Sequence, residues 1–199
     1  MKAENVTQQE RELKIDQKGA IIWLTGLSGA GKTTLGTVLT RKLFESGFFA
    51  YMLDGDKVRQ GLNCDLDFSS EDRKENIRRI AEVAKLFADS GFLVVVAFIS
   101  PFRAGRDKVR TEVDHGRFVE VFVDCPLEVC EIRDNKGLYA KAKSGELKNF
   151  TGISSPYENP LSPELHLRTH EMGVDECVTK ILNYLDGSEI IRNPKSVVN

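Results

Sequence analysis

Gly26-Leu27-Ser28-Gly29-Ala30-Gly31-Lys32-Thr33 fits the spacing G-x-x-x-x-G-K-[ST], a loop whose backbone N–H groups curl around phosphate oxygens. Upstream, Ala20-Ile21-Ile22-Trp23-Leu24-Thr25 is an apolar run of strand length, the pattern of a parallel strand buried on both faces. Downstream, Leu35, Val38, Leu39 and Leu43 recur at helical spacing, and Gly47 sits where a left-handed stop is wanted. The loop therefore joins a strand to a helix. Its glycines admit the ligand close to the backbone, and the helix N-terminus adds partial positive charge. Gly26, Ser28, Gly29, Ala30, Gly31, Lys32, Thr33 and Thr34 are thus candidates for a nucleoside triphosphate site. Lys32 reaches the β/γ-phosphates of ATP, and the Thr33 hydroxyl holds Mg²⁺. A structural Gly-rich turn explains the glycines but not Lys-Thr at the helix start.

Composition narrows the rest. A length of 199 residues suits one domain, and 41% hydrophobic residues suffice for a substantial core. A formal net charge of −2 gives no support for a nucleic-acid partner or a polybasic membrane binder, so the expected partner is small. Cys64, Cys125, Cys130 and Cys177 include no C-x-x-C pair and read as reduced core thiols. Met1 to Lys18 is polar, and no apolar run approaches membrane-spanning length. These features predict a soluble cytoplasmic protein. His115, His166 and His170 lack the spacing of a metal site.

The chain divides into an N-terminal arm (1–18), a phosphate-loop domain (19–187) and a C-terminal tail (188–199) whose last dozen residues look frayed. In the arm, Glu10 to Lys18 suits either a surface helix on the body or a flexible extension. Phe48 to Leu53 reads as a second buried strand, ending in Asp54-Gly55-Asp56. Ligands bind at the carboxyl edge of open parallel sheets, so Asp54 and Asp56 face the phosphate site on this reading. The pair also suits an Asp-Gly turn with a helix N-cap.

Glu71 to Ser90 is helical, with an apolar stripe of Ile77, Ile80, Ala81, Ala84, Leu86 and Phe87, a cap at Ser69 or Ser70, and a stop at Gly91. Arg73 and Asn76 share one face of its first turns, and Arg59 precedes them. Two guanidinium forks beside a phosphate loop suit a second anionic ligand, although surface ion pairs explain any single arginine as well. Leu93 to Ile99 is a central parallel strand ending in Ser100-Pro101, which puts Ser100 at the carboxyl edge either as a site residue or as a turn hydroxyl. Phe118 to Asp124 is a fourth strand, and Pro126 then opens a helix capped by Asp124 or Cys125. Arg133 to Gly152 is basic and punctuated by glycine. It reads as a mobile lid that keeps water from accepting the phosphoryl group, or as a charged surface excursion. Leu165 to Arg168 supplies a short fifth strand, and a helix from Val174 to Leu185 closes the domain before Gly187.

Several stretches in this order resemble adenylyl-sulfate kinase: Gly26 to Thr34, Asp54 to Asn63, Phe68 to Arg73, Glu75 to Arg79, Phe98 to Arg103, Lys136 to Tyr139 and Phe150 to Ile153. The similarity covers roughly residues 15 to 185. It implies transfer of the ATP γ-phosphate to the 3′-hydroxyl of adenosine 5′-phosphosulfate (APS), giving 3′-phosphoadenosine 5′-phosphosulfate (PAPS) and ADP, in sulfate activation. It further implies that Asp54, Asp56, Arg59, Phe68, Arg73, Asn76, Ile99, Ser100 and Leu138 belong to the APS side, with Phe68 and Phe150 sandwiching the adenine. By the same resemblance Arg133 and Lys136 are lid cations near ATP. Asp54 assists the 3′-hydroxyl or organises Mg²⁺, and Ser100 is either a phosphorylated intermediate or a substrate hydrogen-bond partner. We favour direct transfer, in which Lys32 and Mg²⁺ stabilise the spreading charge. A homodimer and a functional link to ATP sulfurylase also follow from the family.

Two departures stand out. The family's Lys-Gly-Phe-Thr-Gly is here Lys148-Asn149-Phe150-Thr151-Gly152, which asks Asn149 for a positive φ. The arm lacks the Trp and His common in stand-alone members. Two rival readings share the phosphate loop: a kinase for another small metabolite, and a nucleotide switch. The guanine signature N-K-x-D is missing, because Asn135-Lys136 is followed by Gly137-Leu138. The expected fold is a three-layer α/β/α phosphate-loop domain with about five parallel strands.

Overall fold

The computed structural model describes residues 5–191. Five strands, β1 (Ala20–Thr25), β2 (Ala50–Asp54), β3 (Leu93–Ala97), β4 (Phe118–Asp124) and β5 (Leu165–Arg168), form one sheet in the order β2-β3-β1-β4-β5. Every pairing is parallel, and β1 lies at the centre with Ile22 opposite Val95 on one side and Val119 on the other. The continuous apolar runs of β1 and β3 have this cause: helices cover both faces, so neither set of alternating side chains meets water.

On one face, Ile22 and Leu24 pack with α2 (Lys32–Glu45) and α8 (Val174–Gly187) through Leu35, Leu39, Leu43, Val178 and Ile181. On the other, Ile21 and Trp23 meet α4 (Ser70–Asp89) and α5 (Arg103–Glu112) through Ile77, Ile80, Ala84 and Val109. The expected three-layer α/β/α architecture is the observed one. Shorter helices α3 (Gly55–Val58), α6 (Leu127–Ile132) and α7 (Leu138–Lys143) sit between strands and major helices.

The arm is a helix, α1 (Gln8–Ile15), opened by a capping box between Thr7 and Glu10. Glu12 pairs with Arg117, and Arg11 with Asp89. Gln17 donates to the Phe49 and Gly91 carbonyls at 2.9 and 2.6 Å, so polar contacts clasp α1 to the amino edge of the sheet.

Several boundaries differ from the sequence reading. β2 begins at Ala50 because Phe48 N–H is taken by the Leu43 carbonyl and Phe49 N–H by the Gln17 side chain. β3 ends at Ala97, since the chain leaves the ladder toward a left-handed Ser100. Ser69 caps α4, but Leu86 points to solvent from it. Pro126 is the cap residue of α6 rather than its first turn, with ψ of 144°. Gly187 stays inside α8, and the reversal falls at Glu189, φ 55°. Ile190 and Ile191 then fold back as buried core rather than fraying; the remainder of the tail, 192–199, lies outside the described residues. Cys64 is exposed, whereas the other three cysteines are buried. Among the described residues, no helix is long and apolar enough to cross a membrane.

Candidate active site

A cleft of about 900 Å³ opens along the carboxyl edge of the sheet, bounded by the phosphate loop, the ends of β2 and β3, the start of α4 and the 133–151 segment. Its donor half is mostly backbone. Gly31 is the N-cap of α2 and offers no side-chain cap, which leaves first-turn N–H groups free for a phosphate. At Gly29, φ is +75° and a Cβ would come within 2.7 Å of the Cys130 carbonyl oxygen, so any side chain would lift the loop off α6. Ser28, Gly29 and Gly31 to Thr34 line the cleft. Gly26 and Ala30 stand behind the loop, where Gly26 abuts Val123 and the Ala30 carbonyl accepts from Thr169 Oγ1 at 2.8 Å.

Lys32 is buried and rests its ammonium on the Leu27 carbonyl, 2.7 Å away. Burial pushes its pKa down to about 8, with the nearby Asp54 and Asp56 carboxylates pulling the other way. Asp54 resolves the two readings of the Asp-Gly-Asp stretch by serving both. Its Oδ1 accepts from Asp56 N–H at 3.0 Å and Lys57 N–H at 3.3 Å, an N-cap for α3, while Oδ2 accepts from Thr33 Oγ1 at 2.9 Å. The hydroxyl and carboxylate so joined are hard oxygen donors, the set a Mg²⁺ ion takes beside a triphosphate.

Across the cleft, Lys136 forms an ion pair with Asp56, joining the loop after α6 to the first turn of α3. Arg133 donates to the Thr169 carbonyl at 2.9 Å and also borders the cleft. Not all of the basic stretch borders the cleft. Lys141 and Lys143 pair with Glu146 and Glu131 on the surface. Tyr139 is buried under the phosphate loop, its hydroxyl donating to the Ser28 carbonyl at 2.8 Å and its ring meeting Phe150 edge-on at 4.9 Å.

The acceptor half is built from side chains. Arg59 lies 4.3 Å over the Phe68 ring, and Arg73 lies 5.7 Å from it. Arg73 is buried and spends its fork on the protein: Nε to the Phe68 carbonyl at 3.1 Å, Nη1 to Thr151 Oγ1 at 2.7 Å, Nη2 to the Asn149 carbonyl at 2.6 Å. It thereby holds the 149–152 turn, in which Asn149 takes the left-handed φ of 57° expected of it. Burial first, and then the charge of Arg59, push the Arg73 pKa down, so an anion between the two arginines would relieve a standing repulsion. Asn76 lines the wall with its Oδ1 accepting from buried Asn63 at 2.5 Å. Ile99, Leu138 and Phe150 border the same space, Phe150 as a nearly buried ring and Phe68 as a half-exposed one.

Ser100 stands three residues beyond the end of β3, at the carboxyl edge of the sheet. It lines the cleft, yet its hydroxyl accepts from Trp23 Nε1 at 3.0 Å and donates to Thr25 Oγ1 at 2.9 Å, inside the sheet. Supports that the sequence did not single out are Thr169, which borders the cleft and donates to the Ala30 carbonyl, and Cys130, whose carbonyl backs Gly29; each lies about a hundred positions or more from the loop it meets, so no local pattern marks it. Asn63 and Tyr139 fall inside the motif stretches, but their roles behind Asn76 and Ser28 come only with the fold.

The Adenylylsulphate kinase family model matches residues 18–168. The chain belongs to the adenylyl-sulfate kinase family. It is 57% identical over 185 residues to a probable adenylyl-sulfate kinase of Halalkalibacterium halodurans, covering 93% of this chain and 92% of that one. It is 53% identical over 186 residues to the adenylyl-sulfate kinase of Clostridium acetobutylicum, covering 94% and 92%. Among solved structures it is similar to the Mycobacterium tuberculosis APS kinase in complex with AMPPNP and APS, at TM-score 0.80 and 48% identity, over 85% of this chain and 99% of that one. For the family's phosphate-loop kinase fold, these likenesses agree with the sheet and cleft described above.

Proposed function

We propose that this protein is an ATP-dependent adenylyl-sulfate kinase: ATP + APS → ADP + PAPS, with 19–187 as the catalytic body. The observation that carries the reading is one cleft with two unlike halves, a triphosphate cradle and a wall of two arginines around an exposed aromatic ring. Membership of the family supports the same assignment.

In-line transfer needs positioning and charge neutralisation more than covalent chemistry. The loop N–H groups and Lys32 hold the β- and γ-phosphates, and Lys32, charged once phosphate oxygens surround it, draws electron density toward the leaving oxygen. Thr33 and Asp54 would hold Mg²⁺, which supplies Lewis-acid neutralisation of the phosphate oxygens when bound. On the acceptor side, Arg59 and Arg73 face the phosphosulfate anion, Phe68 and Phe150 offer ring surface to adenine, and Asn76 offers its amide. Arg133 and Lys136 approach the donor phosphates from the rim, and ATP then competes with Asp56 for Lys136. The inward hydroxyl of Ser100 supports direct transfer without a phosphoserine. We also propose a cytoplasmic homodimer that uses the product of ATP sulfurylase.

An acceptor panel tests this. Purified protein with Mg²⁺-ATP is given APS, AMP, gluconate or shikimate, and ADP is followed for each. Release that requires APS supports the reading. Release with another acceptor points to the rival kinase, and acceptor-independent hydrolysis to the switch.

A further inference from the structure

Ser100 carries φ of 42°, a left-handed conformation that a residue with a Cβ seldom adopts, at the point where β3 turns into the cleft wall. Such a geometry persists only when its surroundings over-determine it. Here the main surrounding group is Arg106 of α5, fully buried and outside the cleft lining. Its Nη1 donates to the Ser100 carbonyl at 2.5 Å, its Nη2 to the Glu158 carbonyl at 2.6 Å, and its Nε to Glu120 Oε1 at 2.7 Å. One planar fork therefore ties the cleft wall to β4 and to the 157–159 segment. That segment closes the circuit: Glu158 N–H donates to the Pro101 carbonyl at 2.9 Å, and its carboxylate accepts from Arg103 N–H at 2.7 Å. Glu120 is itself buried, and Arg110 shares it at 3.1 Å.

We propose that Arg106 is a positioning residue for the acceptor: without touching substrate, it fixes Ser100 in its left-handed geometry, and so sets the course of Ile99-Ser100-Pro101 along the acceptor side of the cleft. The inference rests on the APS reading of that half of the cleft. A buried ion pair serving only stability would need Glu120 alone. Arg106 spends two of its three bonds on backbone carbonyls flanking the wall, and a lysine, with no planar fork, cannot reproduce them.

The experiment compares wild type, Arg106→Lys and the double variant Arg106→Met/Glu120→Met. The double variant removes the buried charges together, a change that cores of this kind tolerate. Steady-state constants are measured for both substrates, together with thermal melting and fluorescence of Trp23, the only tryptophan, whose indole N–H is bonded to Ser100. Loss of charge-assisted bonds to the wall should raise KM for APS about tenfold in both variants, with KM for ATP held within about twofold and Trp23 emission shifted. A folded variant with unchanged KM for APS overturns the inference. So does a parallel rise in both KM values, or a failure of both variants to fold, each of which assigns Arg106 to stability alone. Wild type inert toward APS strikes the functional reading instead, before any variant is compared.

Discussion

The two halves of the cleft are made of different material. The core of the donor half comes from one contiguous stretch, 26–34, which offers mainly backbone N–H groups together with the Lys32 ammonium. The acceptor half draws side chains from α3, the loop before α4, α4 itself, the exit of β3 and the 149–152 turn. A backbone cradle is specified by spacing and glycine alone. A side-chain wall exists only after the whole sheet is assembled, and it needs supports such as Arg73, Asn63 and Arg106 that face away from solvent. Substitutions should therefore divide cleanly into those that damage turnover and those that damage acceptor affinity.

The largest expected effect is at Lys32. Lys32→Ala should cut kcat by about 10³-fold while melting stays near wild type, because among the described residues its ammonium donates only to the Leu27 carbonyl. Asp54→Asn comes next. The amide oxygen can still cap α3, so stability should change by about 1 kcal/mol or less, while turnover falls roughly 100-fold and the Mg²⁺ requirement rises. Equal loss of stability and activity would mean that Asp54 is only a cap.

Arg73→Ala should leave ATP affinity within about twofold and raise KM for APS some 30-fold, since the 149–152 turn loses two bonds as the anion loses a cation. If ATP affinity falls equally, the halves are not separable.

A smaller effect concerns pH. Lys32 sits at about 8 in the free protein and its pKa rises beside phosphates, so above that pH nucleotide binding must take up a proton and weaken, by at most about tenfold per pH unit. Calorimetry at pH 8.5 in buffers of different ionisation enthalpy should read that uptake; none would place the charge already on free Lys32. Smallest of all, Ser100→Ala should keep turnover within about fivefold, because the lost hydroxyl faces Trp23 and Thr25. Abolished turnover in the folded variant would restore a covalent serine.

This contrast also explains what was legible. The bounds of β1 and β4 could be read to the residue because these strands are buried on both faces, those of the half-exposed β5 from its short Leu-x-Leu alternation, and the loop because glycine and lysine have few other uses at that spacing. The dual use of Asp54 was legible only as two alternatives, since the cap and the Thr33 contact come from different parts of the fold. The inward turn of Ser100 was not legible: it depends on Trp23 and Thr25, some 75 positions earlier. Nor was the fold-back of Ile190 and Ile191, where burial in the core overrides the stop signal of Gly187.

The central claim is that the cradle passes phosphate to a hydroxyl held by the wall. Phosphorus-31 NMR of a reaction containing Mg²⁺-ATP and APS tests it most directly, with Lys32→Ala as control. The account predicts a new phosphomonoester resonance coupled to the ribose 3′-proton, appearing with ADP beside an intact phosphosulfate, and missing in the control. Inorganic phosphate alone, or a phosphoryl group on any other position, would contradict it.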